Sequence, residues 1–298
     1  MILLTPQCVT ARVHHESSPV PGGAVLLVKP DHFKIAYAIN PHMREPDGSL
    51  KKVDSQRAIQ QWESLKSLYE SLGLRVDVLG GQEFFPDMVF AANQGFVFWD
   101  GKKPSVILST MASTERQGEI EFFESYYKEC GYNTFSLSSY GEHTFEGNGD
   151  ALLHPNGAFI WGGFGFRTSE AAYEAVARLT QLPVAPLRLV DEHCYHLDTC
   201  FSILDEKTVA IQASAFDGES LSRIRAGFER VIEIDAHENR EAFAGNCFCP
   251  NGKDVVLNPG APKFVAELKK AGFTVHERDT SEFIKSGGSV FCLKMVVF

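Results

Sequence analysis

The sequence predicts an α/β protein made of repeated ββαβ units, and three observations lead there. Short apolar runs rich in β-branched and aromatic residues recur at 24–28, 95–99, 106–109, 151–153, 159–161, 201–204, 209–211 and 255–257, as strands do. Several are joined by turn sequences: His154-Pro155-Asn156-Gly157, Asp205-Glu206-Lys207 and Pro250-Asn251-Gly252-Lys253. Between these pairs lie segments of helical periodicity that halt at glycine. The segment 54–72 places Ile59, Trp62, Leu65, Leu68, Tyr69 and Leu72 on one face and stops at Gly73; 115–130 stops at Gly131, 261–271 at Gly272, and 169–180 behaves similarly. The endings Leu72-Gly73-Leu74-Arg75-Val76 and Ala271-Gly272-Phe273-Thr274-Val275 share a form, with Cys130-Gly131-Tyr132 as a third. The order is hairpin, helix, strand, then hairpin again, without a fixed sequence period. Units arranged around an axis would bring the loops near 93, 146, 196 and 292 to one centre.

Bulk properties set the limits. With 298 residues, 44% hydrophobic and 22% charged, the chain can bury a large core. No Ser/Gly/Pro tract or long charge run marks a linker, so 1–298 reads as one domain, with 1–24 an extension without an assigned role; an oligomer contact and a lid both fit it. The net charge of −10 argues against nucleic acid or an anionic membrane as partner and mildly favours a cationic ligand. Seven scattered cysteines, an odd number, read as reduced thiols in a cytoplasmic protein. Residues 1–10 lack the basic and apolar regions of a signal peptide, and no run approaches the ~20 apolar residues of a membrane span.

Cys292 carries the chemical reading. It follows the Gly287-Gly288 pair, which frees the backbone for a ligand's approach to the sulfur, whereas a lone Cys elsewhere would read as a buried packing residue. A thiol nucleophile needs a histidine and carboxylates distant in sequence. His196 and Asp198 lie in His193-Cys194-Tyr195-His196-Leu197-Asp198-Thr199-Cys200; an extended backbone there would put His196, Asp198 and Cys200 on one face. A metal is the competing reading of that cluster, but its spacing fits no standard zinc pattern and Cys247-Phe248-Cys249 has only a one-residue gap. Glu146 and Asp150 flank a Gly-rich loop, either a turn with solvated acids or a seat for a cation; without a P-loop Lys it is not a phosphate cradle. Asn93, before the strand at 95–99, would alone be a turn residue. Arg167, before a helix, is a solvated Arg or a carboxylate clamp.

Taken together these motifs resemble the guanidino-group-modifying enzymes: arginine deiminases and dihydrolases, dimethylarginine dimethylaminohydrolases and amidinotransferases. The resemblance runs from about Leu26 to Met295. Its elements, in the family's order, are Tyr37–Met43 with Asn40, Pro86–Asn93 with Asp87, Phe145–Asp150, Gly165–Thr168, His196–Phe201 and Glu282–Cys292. It implies a five-bladed α/β propeller (pentein fold) with the site at its axis. It implies further that Cys292 attacks a guanidinium carbon to form a thiouronium intermediate, that Glu146 and Asp198 hold guanidinium nitrogens, that His196 moves protons, and that Arg167 holds a substrate carboxylate. Asp150, Asp87 and Asn40 join the substrate-binding set. No cofactor and no metal is implied; the partner is a small guanidino substrate, with oligomeric state open.

One departure directs the choice within the family. Many members carry Asp where this chain has Asn93. A neutral amide, which both donates and accepts, tolerates a ureido group better than a carboxylate does. Citrulline could then be attacked a second time, giving ornithine, ammonia and CO₂. Arginine dihydrolase is therefore the leading expectation, with deiminase or dimethylarginine hydrolase, and then amidino transfer, as alternatives. A non-catalytic guanidine-binding protein has no use for the Cys292, His196 and Glu146 set.

Overall fold

A computed structural model describes residues 1–13 and 19–298. The mixed α/β fold contains five small sheets, and the expected unit is visible in each. In the second sheet Gly95–Trp99 pairs antiparallel with Pro104–Leu108, helix Ile120–Glu129 crosses, and Asn133–Ser136 returns parallel to Pro104–Leu108. The third repeats this with Ala151–Leu153, Ile160–Phe164, helix Ala172–Thr180 and Val184–Arg188. The fourth does so with Phe201–Ile203, Thr208–Ile211, helix Gly218–Gly227 and Arg230–Glu233. In the fifth, Asp254–Leu257 and Thr274–Glu277 are parallel around helix Pro262–Lys270, and the outer hairpin partner is reduced to one antiparallel bridge, Phe248 to Val256. The first sheet draws on distant segments: Ala24–Val28 pairs antiparallel with Lys294–Val297 and parallel with Arg75–Leu79, which follows helix Ser55–Ser71.

Local chemistry sets these boundaries. Asp54 caps helix Ser55–Ser71 by accepting from the amides of Gln56 and Arg57. Beyond its end Gly73 adopts φ +87, a left-handed conformation that costs a residue without Cβ little. Strands Ala24–Val28 and Gly95–Trp99 begin and end where the apolar runs do. The segment 115–130 is less regular than its periodicity suggests: Thr114–Glu119 is 3₁₀ and only Ile120–Glu129 is α-helical.

The stretch 196–200 departs from expectation. Leu197–Thr199 is a 3₁₀ turn, not an extended run, because the Leu197 amide donates to Asp150 Oδ1 at 3.0 Å and the Cys200 amide closes onto the Leu197 carbonyl. Cys200 therefore goes into the core while Asp198 turns to the centre. Similar 3₁₀ turns, Ala91–Gln94 and Gly147–Gly149, precede the first strands of the second and third sheets. These turns carry the candidate residues.

The core lies between neighbouring sheets and the helices that cover them. An aromatic cluster of Phe159, Trp161, Phe201 and Phe228 joins the third and fourth units, with Trp161 and Phe228 stacked at 5.4 Å between centroids. Part of the proposed 1–24 extension, residues 14–18, lies outside the described residues. Its helix Pro6–Val13 docks by Val9 and by a Thr10 Oγ1 hydrogen bond to the Ala226 carbonyl, and Ile2 bridges to Val184. Among the described residues, no helix is long and apolar enough to cross a membrane.

Candidate active site

The turns ahead of the inner strands converge. The Ala92 amide donates to the Cys292 carbonyl at 3.1 Å, and the Glu146 amide to Thr168 Oγ1 at 3.0 Å. A small enclosed cavity results, lined by Asn40, Asp87, Asn93, Arg167, His196 and Cys292, together with Ile39, Met43, Phe90, Arg116, Tyr195, Ser286 and Gly287. Six of the nine residues singled out from sequence thus line one space. Glu146 and Asp198 stand directly behind it, bonded to His196 and Cys292, and Asp150 Oδ2 lies 4.0 Å from His196 Nε2.

Cys292 is buried, its Sγ 3.2 Å from Asp198 Oδ2. Burial and the Asp198 carboxylate push the thiol well above its usual range, so it rests protonated and donates to Asp198. Burial pushes Asp198 up to about 7, and its Oδ1 has no hydrogen-bond partner. A buried carboxylate oxygen without a donor is expensive unless a cation arrives.

His196 Nε2 lies 2.7 Å from Glu146 Oε2 and 4.0 Å from Asp150 Oδ2. Burial would raise the Glu146 carboxyl. The hydrogen bond from His196 and the charges of His196, Arg167 and Arg116 outweigh it, holding the group well below the usual range. Glu146 Oε1 also accepts from the Ala112 amide at 3.0 Å and from Arg167 Nη1 at 3.4 Å. Its oxygens, expected at the guanidinium, are already engaged, and the carboxylate orients His196. Asp150 is raised to about 6 by burial; it accepts from Thr168 Oγ1 and the Leu197 amide, and so ties the Arg-Thr segment to the His-Leu-Asp turn.

Asn93 is oriented by its surroundings. Its Oδ1 accepts from Arg116 Nη1 at 2.9 Å, which leaves Nδ2 buried without a partner. Asp87 accepts from Ser286 Oγ at 3.1 Å through Oδ1 and keeps Oδ2 unpartnered; burial raises its carboxyl. Asn40 donates to the Ser286 carbonyl at 3.0 Å, closing the segment 37–43 over the Gly287-Gly288 turn. Arg167 lies 5.0 Å over the Tyr195 ring and donates to the Ile39 carbonyl at 2.7 Å. The alternative metal ligands disperse: Cys194 faces Gln212 and Asn239, His193 faces Asp191, and Cys200 packs in the core.

Sequence reasoning missed Arg116, Asn246 and Lys294. Arg116 sits three residues before Glu119, a spacing that reads as an exposed helical ion pair, yet both are buried and bonded at 2.8 Å. Asn246 stands two residues ahead of Phe248, as Asn93 stands two ahead of Gly95; that shared placement was the available signal. Lys294 is fully buried with its Nζ 3.0 Å from the Phe291 ring centre and without a hydrogen bond, and burial lowers its pKa well below normal. Nothing in the sequence distinguishes it from a surface lysine.

Comparison with known proteins gives the family. The model of the family described as N,N dimethylarginine dimethylhydrolase, eukaryotic, matches residues 29–298. A bifunctional arginine dihydrolase/ornithine cyclodeaminase from Nostoc sp. is 35% identical over 277 residues, covering 91% of this chain and 37% of the relative. The chain thus spans little more than a third of that bifunctional protein. The N(G),N(G)-dimethylarginine dimethylaminohydrolase of Mycobacterium tuberculosis is also 35% identical, over 91% of this chain and 84% of its own length. Among solved structures, the N-terminal domain of the cyanobacterial arginine dihydrolase ArgZ bound to product superposes with a TM-score of 0.86 at 34% identity, covering 92% of this chain and 97% of that one.

Proposed function

The chain belongs to the N,N dimethylarginine dimethylhydrolase family, and from that premise we propose that it is a cysteine hydrolase of guanidino groups that takes free arginine through two hydrolyses to ornithine. One observation favours two rounds over one: the buried, unpartnered Nδ2 of Asn93 in the cavity that holds Cys292 and His196. Because Arg116 fixes Oδ1 as an acceptor, the amide presents a donor to the cavity. A donor suits the carbonyl oxygen of a ureido group, which an Asp at this position would repel.

The reading assigns the steps as follows. The guanidinium enters against Asp198 Oδ1 and Asp87 Oδ2, buried carboxylate oxygens of the cavity region without donors among the described residues. Its charge offsets the burial and the Asp198 repulsion that keep the Cys292 thiol protonated, so the thiol gives its proton to solvent as the substrate binds and the thiolate forms. Sγ bonds to the guanidinium carbon, and His196, aligned by Glu146, protonates the departing ammonia. Water, deprotonated by His196, adds to the thiouronium carbon, and the C–S bond breaks to give citrulline. In the second round Sγ bonds to the ureido carbon and ammonia leaves, water then cleaves the C–S bond to give the N-carboxylated amine, and that carbamate loses CO₂ to leave ornithine. Arginine and two waters thereby become ornithine, two ammonia and one CO₂. Arg167, on the cavity wall, is assigned to the α-carboxylate.

We assign the five sheets to five blades of one α/β propeller across 1–298, supported by the pairing of Lys294–Val297 with Ala24–Val28 and by the convergence of turns on one cavity. The seven free thiols fit a reducing compartment, and we place the protein in the cytoplasm. The test is product analysis with L-arginine for wild type and Cys292→Ala. Ornithine and ammonia from wild type alone support the reading. Citrulline as the end product retains the thiol mechanism and rejects the second round. Turnover of dimethylarginine but not arginine would favour the activity of the Mycobacterium tuberculosis relative.

A further inference from the structure

Four of the five sheets deliver a residue of the site from the turn that leads into an inner strand. Asn93 precedes Gly95–Trp99, Glu146 to Asp150 precede Ala151–Leu153, His196 and Asp198 precede Phe201–Ile203, and Cys292 precedes Lys294–Val297. The fifth sheet has received no such assignment. Its equivalent turn ends at Asn246, two residues before Phe248, which bridges to Val256. Asn246 is fully buried.

Its side chain makes four hydrogen bonds: two to the nucleophile, one to Ser289 in the turn ahead of it, and one to the turn of Asp198. Oδ1 accepts from the amides of Ser289 at 3.0 Å and Cys292 at 3.1 Å. Nδ2 donates to the Asp198 carbonyl at 2.8 Å and to Cys292 Sγ at 3.1 Å. The Asn246 carbonyl adds a fifth bond, accepting from the Phe291 amide at 3.0 Å. An amide is suited to this place, because it offers acceptor lone pairs on one side and two N–H groups on the other. Asp would lose the donors; Ser lacks the reach to serve both sides.

We propose that Asn246 is a positioning residue for the reaction: its oxygen fixes the turn that presents Cys292, and its amide nitrogen donates to the sulfur in the ionised, attacking form. This rests on the reading of Cys292 as nucleophile. A donor 3.1 Å from sulfur gains strength when the sulfur becomes negative, since hydrogen bonds to charged groups are roughly twice as strong as neutral ones. It therefore favours thiolate over thiol. The same group anchors the Asp198 carbonyl, so the two residues between which the substrate carbon must enter are set by one side chain.

The test uses Asn246→Asp and Asn246→Ala in the full chain. The rate of iodoacetamide alkylation is followed against pH by mass spectrometry of the tryptic peptide spanning 286–294, in which Cys292 is the only cysteine. Wild type gives a titration midpoint without any turnover, so an enzyme that ignores arginine leaves this experiment intact. The midpoint is expected to rise by about one pH unit or more in Asn246→Ala, and further in Asn246→Asp, which puts an acceptor where the donor stood. On whichever guanidino substrate wild type turns over, kcat is expected to fall roughly a hundredfold, with KM changed much less, as for other lost donors to a reacting atom. Asn246→Asp keeps the acceptors for Ser289 and Cys292 and should retain most of the thermal stability. A midpoint within 0.2 pH units of wild type in folded Asn246→Asp would overturn the proposal. So would failure of both variants to fold, which would assign Asn246 to structure alone.

Discussion

Asn93 and Asn246 show how one side chain serves two ends according to its partners. Arg116 holds the Asn93 oxygen and leaves its donor unpartnered, whereas Asn246 spends donor and acceptor on the protein itself. Replacing Asn93 by Asp removes the donor and places a carboxylate between Arg116 and the substrate. Guanidinium binding should survive or improve, since a cation gains a counter-charge. Attack on the neutral ureido group should suffer, because its oxygen would face an acceptor. Asn93→Asp is therefore expected to accumulate citrulline, with the ornithine-forming step slowed at least tenfold and arginine consumption within a few-fold of wild type. Ornithine formed from supplied citrulline measures that step directly, and an unchanged rate would remove Asn93 from the second hydrolysis. Cys292, His196 and Asp198 were legible from the residues themselves, a thiol after two glycines and a histidine and carboxylate in a cysteine-rich stretch, whereas Asn93, alone a turn residue, entered only through the family resemblance. Arg116 and Asn246 were not, because their meaning depends on partners brought by other parts of the fold. A buried Arg bonded to Glu119 and an amide bonded to Cys292 look like surface residues until those partners are seen.

At the scale of elements, the hairpin strands and four of the helices followed from apolar runs and periodicity, while helix Gly218–Gly227 and the short turns did not. The stretch 196–200 would put His196, Asp198 and Cys200 on one face if it were extended; a hydrogen bond from the Leu197 amide to Asp150 on another unit makes it a turn. The same holds for Gly147–Gly149, whose geometry answers to a neighbour. Gly147 has φ +52, and a Cβ on it would lie 2.4 Å from the Gly95 carbonyl oxygen at the mouth of a neighbouring strand. Gly73 also has a positive φ, +87, but a Cβ there meets nothing within 4 Å. The two glycines separate backbone strain from close approach. Gly73→Ala should cost about 1 kcal/mol, the conformational penalty alone. Gly147→Ala should cost roughly 3 kcal/mol or more, since Gly95 cannot withdraw without shifting its strand, and it should disturb the seat of Glu146. Urea unfolding of both variants checks the ordering; equal losses would mean that the close approach of the two turns is relieved cheaply.

The whole molecule depends on a pairing that neither segment announces. The ββαβ pattern was readable for the later units, yet the first sheet is completed by Lys294–Val297, whose register sets Ala24 against Val297 and Leu27 against Lys294. Met295 and Val297 are fully buried against Leu26 and Val28, the Phe298 amide donates to Tyr132 at 2.8 Å, and its carbonyl accepts from Arg75 at 2.9 Å. Cys292 stands two residues ahead of this strand, so the strand also fixes the position of that thiol. Removing 295–298 would leave Ala24–Val28 with an open edge and empty the space of two core side chains. Each such loss is worth about 2–5 kcal/mol, and a domain's whole stability is only about 5–15 kcal/mol. The truncated chain is therefore expected to lose its cooperative thermal transition and to collect in the insoluble fraction, as an unpaired hydrophobic edge strand does. Removing 1–4 is the fair comparison: it too takes away a bridge, Ile2 to Val184, and one buried side chain, Leu3, but it lies outside any sheet's interior. That variant should fold with a Tm lowered by a few degrees and with the Cys292 alkylation midpoint unchanged. If both truncations behaved alike, the pairing of 294–297 with 24–28 would be an ornament of the fold and not the contact that closes it.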